Sequence, residues 1–253
     1  MSVDMPRVAM VFAAGLGRRM RPLSERMPKP LLEVAGQPIL DHVLDRLEAA
    51  GVPEVVVNAH WQPGAIHAAL ATRAAAGRGP HTTEQVEDSL LETGGSAAAA
   101  LRAGRLGSGP FFLLNGDGMW LNGPVAALRR LAAAFDPARM DAMLLLGAMT
   151  RAVGEVGRGD FAIDAHGKPR RPRAGEVTPY VFTGVQIVSP ALFDGAPQGA
   201  FSMNLLWDRA MAAGRLGVIV HDSLWFHLSR PADITAAEQV LHSALNPDRD
   251  NDI

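Results

Sequence analysis

The chain of 253 residues contains no cysteine, which excludes disulfides, thiolate catalysis and cysteine-ligated zinc or iron–sulfur sites. It also has no large excess of positive or negative side chains, since it contains 24 Lys and Arg residues and 26 Asp and Glu residues. The resulting net charge of −2 argues against a general nucleic-acid-binding surface, so any cationic site must be local. With 48% hydrophobic and 20% charged residues, the composition is typical of a globular core.

The sequence also shows no stretch that is typical of a targeting or membrane-spanning segment. Residues 1–7 lack the apolar stretch of a signal peptide, and no apolar run reaches the thickness of a bilayer. We therefore expect a cytoplasmic protein that binds neither membrane nor nucleic acid. No Ser- or Gly-rich linker and no internal repeat interrupts the sequence, which favours a single domain over residues 1–253 with a frayed polar tail at 246–253.

Apolar runs alternate with helical patterns along most of the chain. Helices are predicted at 39–50, 66–76, 95–103, 125–135, 203–213 and 232–245. Strands are predicted at 8–13, 54–58, 82–87, 111–114, 142–146, 161–164, 181–188, 216–221 and 225–228. Continuously apolar strands between helices indicate an α/β fold, Rossmann-like, with a mixed and mostly parallel sheet covered by helices on both faces. The shorter strands after about residue 150 predict a strand-rich insertion.

A glycine-containing loop with several cations follows the first predicted strand. Residues 13–23 read Ala-Ala-Gly-Leu-Gly-Arg-Arg-Met-Arg-Pro-Leu, and residues 28–31 read Pro-Lys-Pro-Leu. Glycines let backbone N–H groups approach a phosphate, and cations balance its charge. No Lys-Ser or Lys-Thr pair follows, which excludes a Walker A loop, and Met20 replaces the third glycine of a dinucleotide fingerprint. The pattern predicts a polyphosphate site; an ordinary turn with surface arginines is the alternative.

With three later segments, this pattern resembles the sugar-phosphate nucleotidyltransferase family over about residues 8–245. The segments are Leu-Leu-Glu-Thr-Gly-Gly at 90–95, Leu-Asn-Gly-Asp at 114–117 and Phe-Thr-Gly-Val at 182–185. The resemblance implies that an NTP and a sugar 1-phosphate give an NDP-sugar and pyrophosphate, with Mg²⁺, or alternatively Mn²⁺, as cofactor. It also implies a nucleotide-binding half at about 1–150 and a sugar-binding half at about 151–245.

Within the family, the loop at 90–95 and the short chain most resemble members that act in cell-wall sugar recycling, and this resemblance implies UTP and N-acetylmuramate 1-phosphate as substrates. Three alternatives stay open: a mannose-1-phosphate guanylyltransferase, a glucose-1-phosphate thymidylyltransferase, and a nucleotide-sugar-binding relative without catalytic activity. Short sequence features do not settle which base is bound, although a purine needs a larger pocket with different hydrogen bonds than a pyrimidine does.

The resemblance also implies residue roles, position by position. The catalytic cations would be Arg19, which clamps pyrophosphate, and Lys29, which lies between the reacting phosphates. Nucleotide binding is expected from Ala13, Ala14, Gly15, Gly17, Glu92 and Gly94, the last accommodating the pyrimidine on its backbone. The sugar is expected to contact Asn115, Gly159, Arg173 and Thr183, and the metal to contact Asp117 and His227.

Two segments depart from the family pattern. The usual second metal segment, W-x-D-x-G-T, reads Trp-Phe-His-Leu-Ser-Arg at 225–230, so His227 replaces the aspartate. Imidazole suits Mn²⁺ or Zn²⁺ better than Mg²⁺. His227 could therefore bind a softer metal or contact the ligand through water, or Asp117 could hold the metal alone. The usual Glu-Lys-Pro segment is replaced by the basic residues 168–173. One arginine of this segment, with Arg173 as the candidate, would pair with a sugar carboxylate, unless the segment is a solvated hairpin.

Overall fold

The computed structural model describes residues 4–245, and the predicted tail at 246–253 lies outside them. Six α-helices are described within this range: α1 (Ile39–Ala50), α2 (Pro63–Ala75), α3 (Glu92–Arg102), α4 (Ala127–Ala134), α5 (Met203–Ala212) and α6 (Pro231–Leu245). The strands are β1 (Val8–Phe12), β2 (Glu33–Val34), β3 (Gln37–Pro38), β4 (Glu54–Ala59), β5 (His81–Val86), β6 (Phe111–Asn115), β7 (Met119–Trp120), β8 (Ala142–Ala148), β9 (Ala152–Val153), β10 (Ala162–Ile163), β11 (Pro169–Arg170), β12 (Tyr180–Val188), β13 (Leu216–Val220) and β14 (Trp225–Phe226).

The central sheet has seven strands in the order β13-β8-β12-β6-β1-β4-β5. The neighbouring pairs among β6, β1, β4 and β5 are parallel, as is the pair of β13 and β8. Strand β12 runs antiparallel to both of its neighbours, β6 and β8. The predicted mixed, mostly parallel sheet is therefore confirmed, and β12 is the strand that makes it mixed.

Helices cover both faces of this sheet. Leu44 of α1, Ile66 of α2 and Leu131 of α4 belong to the buried cluster on one face. Ala97 of α3 and Leu206 of α5 belong to the cluster on the other face. Buried apolar side chains recur along α1 at intervals of three and four residues, which is the period that brings one helical stripe onto a sheet.

Part of the predicted insertion belongs to the central sheet. Strands β12 and β13, which both follow residue 150, pair with β6 and β8, which precede it. Outside the sheet, β10 and β11 form a short hairpin, while β7, β14 and β9 form a separate three-stranded sheet. Both halves of the chain thus contribute to one sheet, and their assignment to nucleotide and sugar stays a prediction. Within residues 4–245, no helix combines the length and apolarity needed to cross a membrane.

Helix α3 begins earlier than predicted, at Glu92 instead of residue 95, so Gly94 and Gly95 lie in its first turn. A Cβ atom on Gly95 would lie 2.2 Å from the carbonyl oxygen of Gly199, and one on Gly94 would lie 2.4 Å from the ring of Phe201. Both backbone N–H groups donate to the carbonyl oxygen of Phe201, at 2.9 and 3.0 Å. The two glycines therefore let the start of α3 pack directly against the segment that precedes α5.

Candidate functional site

A cavity of about 450 Å³ opens at the carboxyl ends of β1 and β6. Ligands of open α/β sheets bind in this position, because the loops that follow parallel strands diverge there. The glycine loop after β1 and the segment after β6 both reach the cavity. Among the residues predicted to bind the nucleotide, Ala14, Gly15, Gly17 and Glu92 line it, whereas Ala13 and Gly94 do not.

Gly17 fixes the course of the loop over the cavity. Its φ of 57° lies in the left-handed region that favours glycine, and a Cβ atom there would lie 3.0 Å from Cβ of Lys29. The Ser24 hydroxyl donates to the carbonyl oxygen of Gly17 at 2.8 Å. This close contact packs the loop against the short turn Lys29–Leu31 and brings Lys29 to the cavity wall. Gly15 has open space around it, so its backbone is accessible to a ligand.

A buried polar network that we did not predict from the sequence anchors the start of the loop. The N–H of Ala13 donates to Oδ1 of Asn58 at 2.6 Å, so it is not available to a phosphate. Nδ2 of Asn58 donates to Oε1 of Glu87 and to Oγ of Ser96, both at 2.8 Å. Asn58 and Glu87 also line the cavity. The signal in the sequence was a polar residue after three valines at the end of β4.

The three residues predicted to act on the phosphates lie together. Nζ of Lys29 is 2.5 Å from Oδ2 of Asp117, although the two residues are 88 positions apart in sequence. The Lys29 side chain is only 11% exposed, and an ammonium group in such surroundings needs an anionic partner. Arg19 is exposed at the same cavity, and its side chain forms no ion pair or hydrogen bond with any residue between 4 and 245. Arg19 is therefore a cation available to an incoming anion, as is its neighbour Arg18, which is exposed at the same cavity.

His227 lies beside this charged group. Burial lowers the pKa of His227, the positive charges of Lys29 and Arg19 lower it further, and Asp233 and Asp117 oppose the shift. The imidazole is therefore neutral at pH 7. Ser229, and not His227, is among the residues that line the cavity.

Asp233 fixes the backbone next to His227. Its Oδ2 accepts the N–H groups of Ser229 and Arg230, at 2.8 and 2.7 Å. These two bonds tie the segment after β14 to the first turn of α6. The position of His227 is thus set by a neighbouring buried carboxylate.

The donor set fits a divalent cation that is held mainly by a substrate. In the described part of the chain, no cluster of three or more His, Asp or Glu side chains could enclose a metal. Asp117 lines the cavity, as do Glu87 and Glu92, and its carboxylate lies beside the ammonium group of Lys29. Mg²⁺ is commonly bound through one or two carboxylates together with substrate phosphates, so Asp117 is compatible with this mode of binding. The predicted contact between His227 and a metal stays a prediction.

A smaller pocket of about 280 Å³ adjoins the main cavity. The two share Phe12, Thr93 and Asn115, so a ligand can extend from one into the other. We call it the aromatic pocket, because its remaining wall contains three aromatic rings among polar side chains: Asp160, Phe161, Arg171, Phe182, Gln186, Ser202, Met203, Asn204 and Trp207. We did not single out Asp160, Arg171, Gln186 or Trp207 as site residues from the sequence.

Of the four predicted sugar contacts, only Asn115 lines the two pockets. Thr183 is buried, and its hydroxyl donates to the carbonyl oxygen of Leu145 at 2.8 Å, so its side chain is engaged in the core. Gly159 is required by the backbone, because a Cβ atom there would lie 2.2 Å from the carbonyl oxygen of Thr178. Arg173 is exposed and lines neither pocket. The structure therefore does not bring Gly159, Thr183 or Arg173 to the site.

Comparison with known proteins agrees with this geometry. Residues 9–158 match the family model of the MobA-like NTP transferase domain. The chain is 43% identical over 242 residues to N-acetylmuramate alpha-1-phosphate uridylyltransferase of Caulobacter vibrioides, an alignment that covers 94% of this chain and 98% of that protein. It is 32% identical over 231 residues to the protein of the same name from Neisseria meningitidis serogroup B, covering 91% and 96% of the two chains.

A solved structure shares the fold. The crystal structure of UDP-glucose pyrophosphorylase complexed with UDP-glucose superposes with a TM-score of 0.78, covering 95% of this chain and 100% of that one at 12% identity. The family model spans more than half of the chain, and the two relatives align over nearly all of it. This chain therefore belongs to the sugar-phosphate nucleotidyltransferases that carry the MobA-like NTP transferase domain.

Proposed function

We propose that the chain transfers a uridylyl group from UTP to N-acetylmuramate 1-phosphate and releases pyrophosphate. Both relatives described above carry the name of this activity, and the first aligns over 98% of its own length. The proposed partners are small molecules, with neither nucleic acid nor membrane involved. The reaction assigns the enzyme to the cytoplasm, where nucleoside triphosphates are made.

One observation carries the proposal: Arg19, Lys29 and Asp117 line a single cavity at the carboxyl end of the sheet. In the reaction, a phosphate oxygen of the sugar attacks the α-phosphorus of UTP, and the bond to the β-phosphate oxygen breaks. The attacking oxygen is already anionic, so no general base is required. The difficulty is to bring several negative charges together, which calls for positioning and electrostatic stabilisation. Two cations and a metal-binding carboxylate meet that need.

Each residue receives a role from its position. Arg19, whose side chain has no ion pair or hydrogen bond within the described residues, would bind the β- and γ-phosphates with its planar fork and hold the departing pyrophosphate. Lys29 would contact the α-phosphate and the incoming phosphate once the triphosphate draws it from Asp117. The accessible backbone of Gly15 and the loop held by Gly17 would line the nucleotide.

Mg²⁺ is the proposed metal, with Mn²⁺ as the alternative, and Asp117 is its proposed protein ligand. When bound, the ion neutralises phosphate charge and lowers the barrier to attack at phosphorus. Asp117 would hold the cation against the phosphates, and Lys29 would keep the carboxylate oriented before the substrate arrives.

Pyrophosphate release, measured for UTP, GTP and dTTP against a panel of sugar 1-phosphates, tests the proposal. We expect the highest kcat/KM for UTP with N-acetylmuramate 1-phosphate. A preference for GTP with mannose 1-phosphate, or for dTTP with glucose 1-phosphate, would replace the proposal with one of those activities. Nucleotide-sugar binding without any pyrophosphate release would identify a non-catalytic relative.

A further inference from the structure

Arg171 stands out among the residues of the aromatic pocket because it is the single cation that lines this pocket in residues 4–245. Its guanidinium carbon lies 4.6 Å from the centre of the Phe161 ring and 5.8 Å from the centre of the Trp207 ring. Nε donates to Oδ1 of Asp208 and Nη2 donates to Oδ1 of Asn204, each at 2.8 Å. Contacts with two rings and two acceptors fix the plane of the guanidinium.

The fixed guanidinium of Arg171 still has N–H groups that are free to donate to a ligand. Its Nη1 makes no hydrogen bond to any residue in the described part of the chain, and the side chain is 30% exposed. A planar guanidinium with free N–H groups in one plane is suited to a carboxylate, which it can bind through two parallel bonds. The aromatic pocket thus contains a preoriented anion-binding group next to the proposed site of phosphate chemistry.

The other cations of the basic segment 168–173 are placed differently. Arg170 donates to both carboxylate oxygens of Glu176, at 2.8 and 2.6 Å. The bonds from Arg170 and from the backbone N–H of Arg173 lower the pKa of Glu176 to about 2. Lys168 and Arg173 are exposed and line no part of this pocket. Arg171 is therefore the member of the segment whose surroundings fit a ligand.

We infer that Arg171 is a specificity-determining residue that binds a carboxylate carried by the acceptor sugar. The inference rests on the proposed function, in which the acceptor is N-acetylmuramate 1-phosphate, a sugar that bears a lactyl carboxylate. It transfers to Arg171 the role that the sequence pattern suggested for Arg173. Asn115, which lines both pockets, would lie between the anomeric phosphate and this end of the sugar.

The present partner of Arg171 does not prevent this role. Asp208 is 56% exposed, and an exposed ion pair contributes little net stability, so a substrate carboxylate can share the guanidinium at small cost. Asp160 is the acidic residue that lines this pocket among residues 4–245, and its Oδ2 accepts the N–H of Phe182 at 2.9 Å. Its negative charge disfavours an anion elsewhere in the pocket, whereas its oxygens can accept sugar hydroxyl groups.

Steady-state kinetics with two acceptors test the inference. N-acetylmuramate 1-phosphate and N-acetylglucosamine 1-phosphate differ only in the lactyl ether, so their comparison isolates the carboxylate. In Arg171→Gln we expect the KM for the carboxylated sugar to rise about tenfold or more, the loss typical of a charge-assisted hydrogen bond. The KM for N-acetylglucosamine 1-phosphate and the KM for UTP should stay within about twofold of the unmodified protein. An equal rise for both sugars, or none for either, would overturn the inference.

Three variants serve as comparisons. Arg173→Gln removes a neighbouring exposed arginine and should leave both acceptors unaffected. Arg171→Lys keeps the charge and loses the planar fork, so its KM for the carboxylated sugar should lie between those of Arg171→Gln and the unmodified protein. Asp208→Asn removes the competing anion and should lower the KM for the carboxylated sugar. An increase of that KM in Asp208→Asn, with the fold intact by circular dichroism, would contradict the inference.

Calorimetric titration separates the inference from the proposed function. If no pyrophosphate forms from UTP with either sugar, the proposed function fails. The inference still predicts that the unmodified protein binds N-acetylmuramate 1-phosphate more tightly than N-acetylglucosamine 1-phosphate, and that Arg171→Gln abolishes this difference. A protein that binds both sugars equally, whether or not it turns them over, would exclude the assigned role of Arg171.

Discussion

Lys29 keeps a positive charge in a wall of the cavity where water has little access. Its side chain is 11% exposed, and Asp117 at 2.5 Å provides the counter-charge. A buried cation with a single anionic partner is costly to leave unpaired, so Asp117 stabilises the ammonium group of Lys29 at the cavity wall before substrate binds. A triphosphate that approaches Lys29 supplies further negative charge, which the lysine is positioned to accept.

The first prediction at this scale concerns the charge of Lys29. Lys29→Met preserves the length and the apolar stem of the side chain and removes the ammonium group. We expect kcat for pyrophosphate release to fall by about a hundredfold or more, because electrostatic stabilisation of the reacting phosphates is lost. Lys168→Met, which removes the other lysine of the chain from an exposed turn, is the matched control and should keep full activity. A fall in kcat of less than about threefold in Lys29→Met would remove this residue from the mechanism.

A second prediction concerns His227 and the metal. Since the pKa of His227 is lowered by burial and by Lys29 and Arg19, the ring is neutral at pH 7 and supplies no charge to the phosphates. We therefore expect His227→Asp to retain activity with Mg²⁺, with Asp117 as the proposed principal ligand. The assay compares Mg²⁺ and Mn²⁺ over a range of concentrations. An inactive variant with an unchanged circular dichroism spectrum would show that the imidazole itself is required.

A site residue could be predicted from the sequence only where the pattern that identifies it lies within a short motif. Arg19, Lys29 and Asp117 belong to short motifs, and the structure does bring all three to one cavity. Thr183 also belongs to a motif, but its hydroxyl bonds to Leu145, a contact between two strands that no short window of sequence contains. The same applies to Arg171, because its aromatic and acidic partners lie up to 37 residues away.

At the scale of single elements, the start of α3 shows how backbone contact sets a sequence preference. Gly94 and Gly95 lie in its first turn, where their lack of side chains allows Phe201 to accept both N–H groups. This contact links the first turn of α3, which begins at Glu92, to the beginning of α5. The same two elements contribute Thr93 and Trp207 to the aromatic pocket, so the glycines indirectly shape that pocket.

Substitution of Gly95 tests this contact. A Cβ atom at 2.2 Å from the carbonyl oxygen of Gly199 forces the backbone apart, so Gly95→Ala should lower the free energy of unfolding by about 1–3 kcal/mol. In Gly64→Ala, within α2, the new methyl group meets open space, and the free energy of unfolding should rise by about 0.4–1 kcal/mol. Urea titrations monitored by circular dichroism measure both. Equal effects of the two substitutions would mean that α3 does not depend on close backbone approach.

The elements differ in how fully the sequence specified them. The bounds of α1 agree with the prediction at both ends, because apolar spacing defines its start and Gly51, with φ of 87°, defines its end. The start of α3 was missed because Thr-Gly-Gly has weak helix propensity and resembles a turn. Its partner at residues 199–201 lies about a hundred positions away, so the compensating contact could not be read locally.

At the scale of the whole molecule, the sheet order explains how distant motifs meet. Strands β1 and β6 are parallel neighbours, so the loops that follow them leave from the same edge. Antiparallel β12 lies against β6 and joins the second half of the chain to the first within one sheet. The mostly parallel sheet could be predicted from its apolar strands. The position of β12 between β8 and β6 could not, because strand order depends on pairing between distant segments.

The stability of the whole fold should depend on pH through His221 at the end of β13. Its side chain is buried, and this burial lowers its pKa, with the negative charge of Asp222 opposing the shift. Below pH 6.5 the unfolded chain therefore binds more protons at this residue than the folded chain does. The folded state should therefore lose stability relative to the unfolded chain as the pH falls from 7.5 to 5.5.

His221→Leu should remove this contribution, so its free energy of unfolding should fall less than that of the unmodified protein over the same pH range. Urea titrations at pH 7.5 and 5.5 measure the difference. Identical pH dependence in His221→Leu and the unmodified protein would show that His221 is protonated equally in both states.

A double-mutant cycle of Arg19→Gln and Asp117→Asn tests most directly whether the cavity acts on one triphosphate. The two side chains form no ion pair or hydrogen bond with each other in the structure, so their effects on the free energy of unfolding without ligand should add. If both act on the same phosphates, their effects on kcat/KM for UTP should depart from additivity by about 1 kcal/mol or more. Additive losses in kcat/KM would contradict a shared triphosphate and with it the proposed active site.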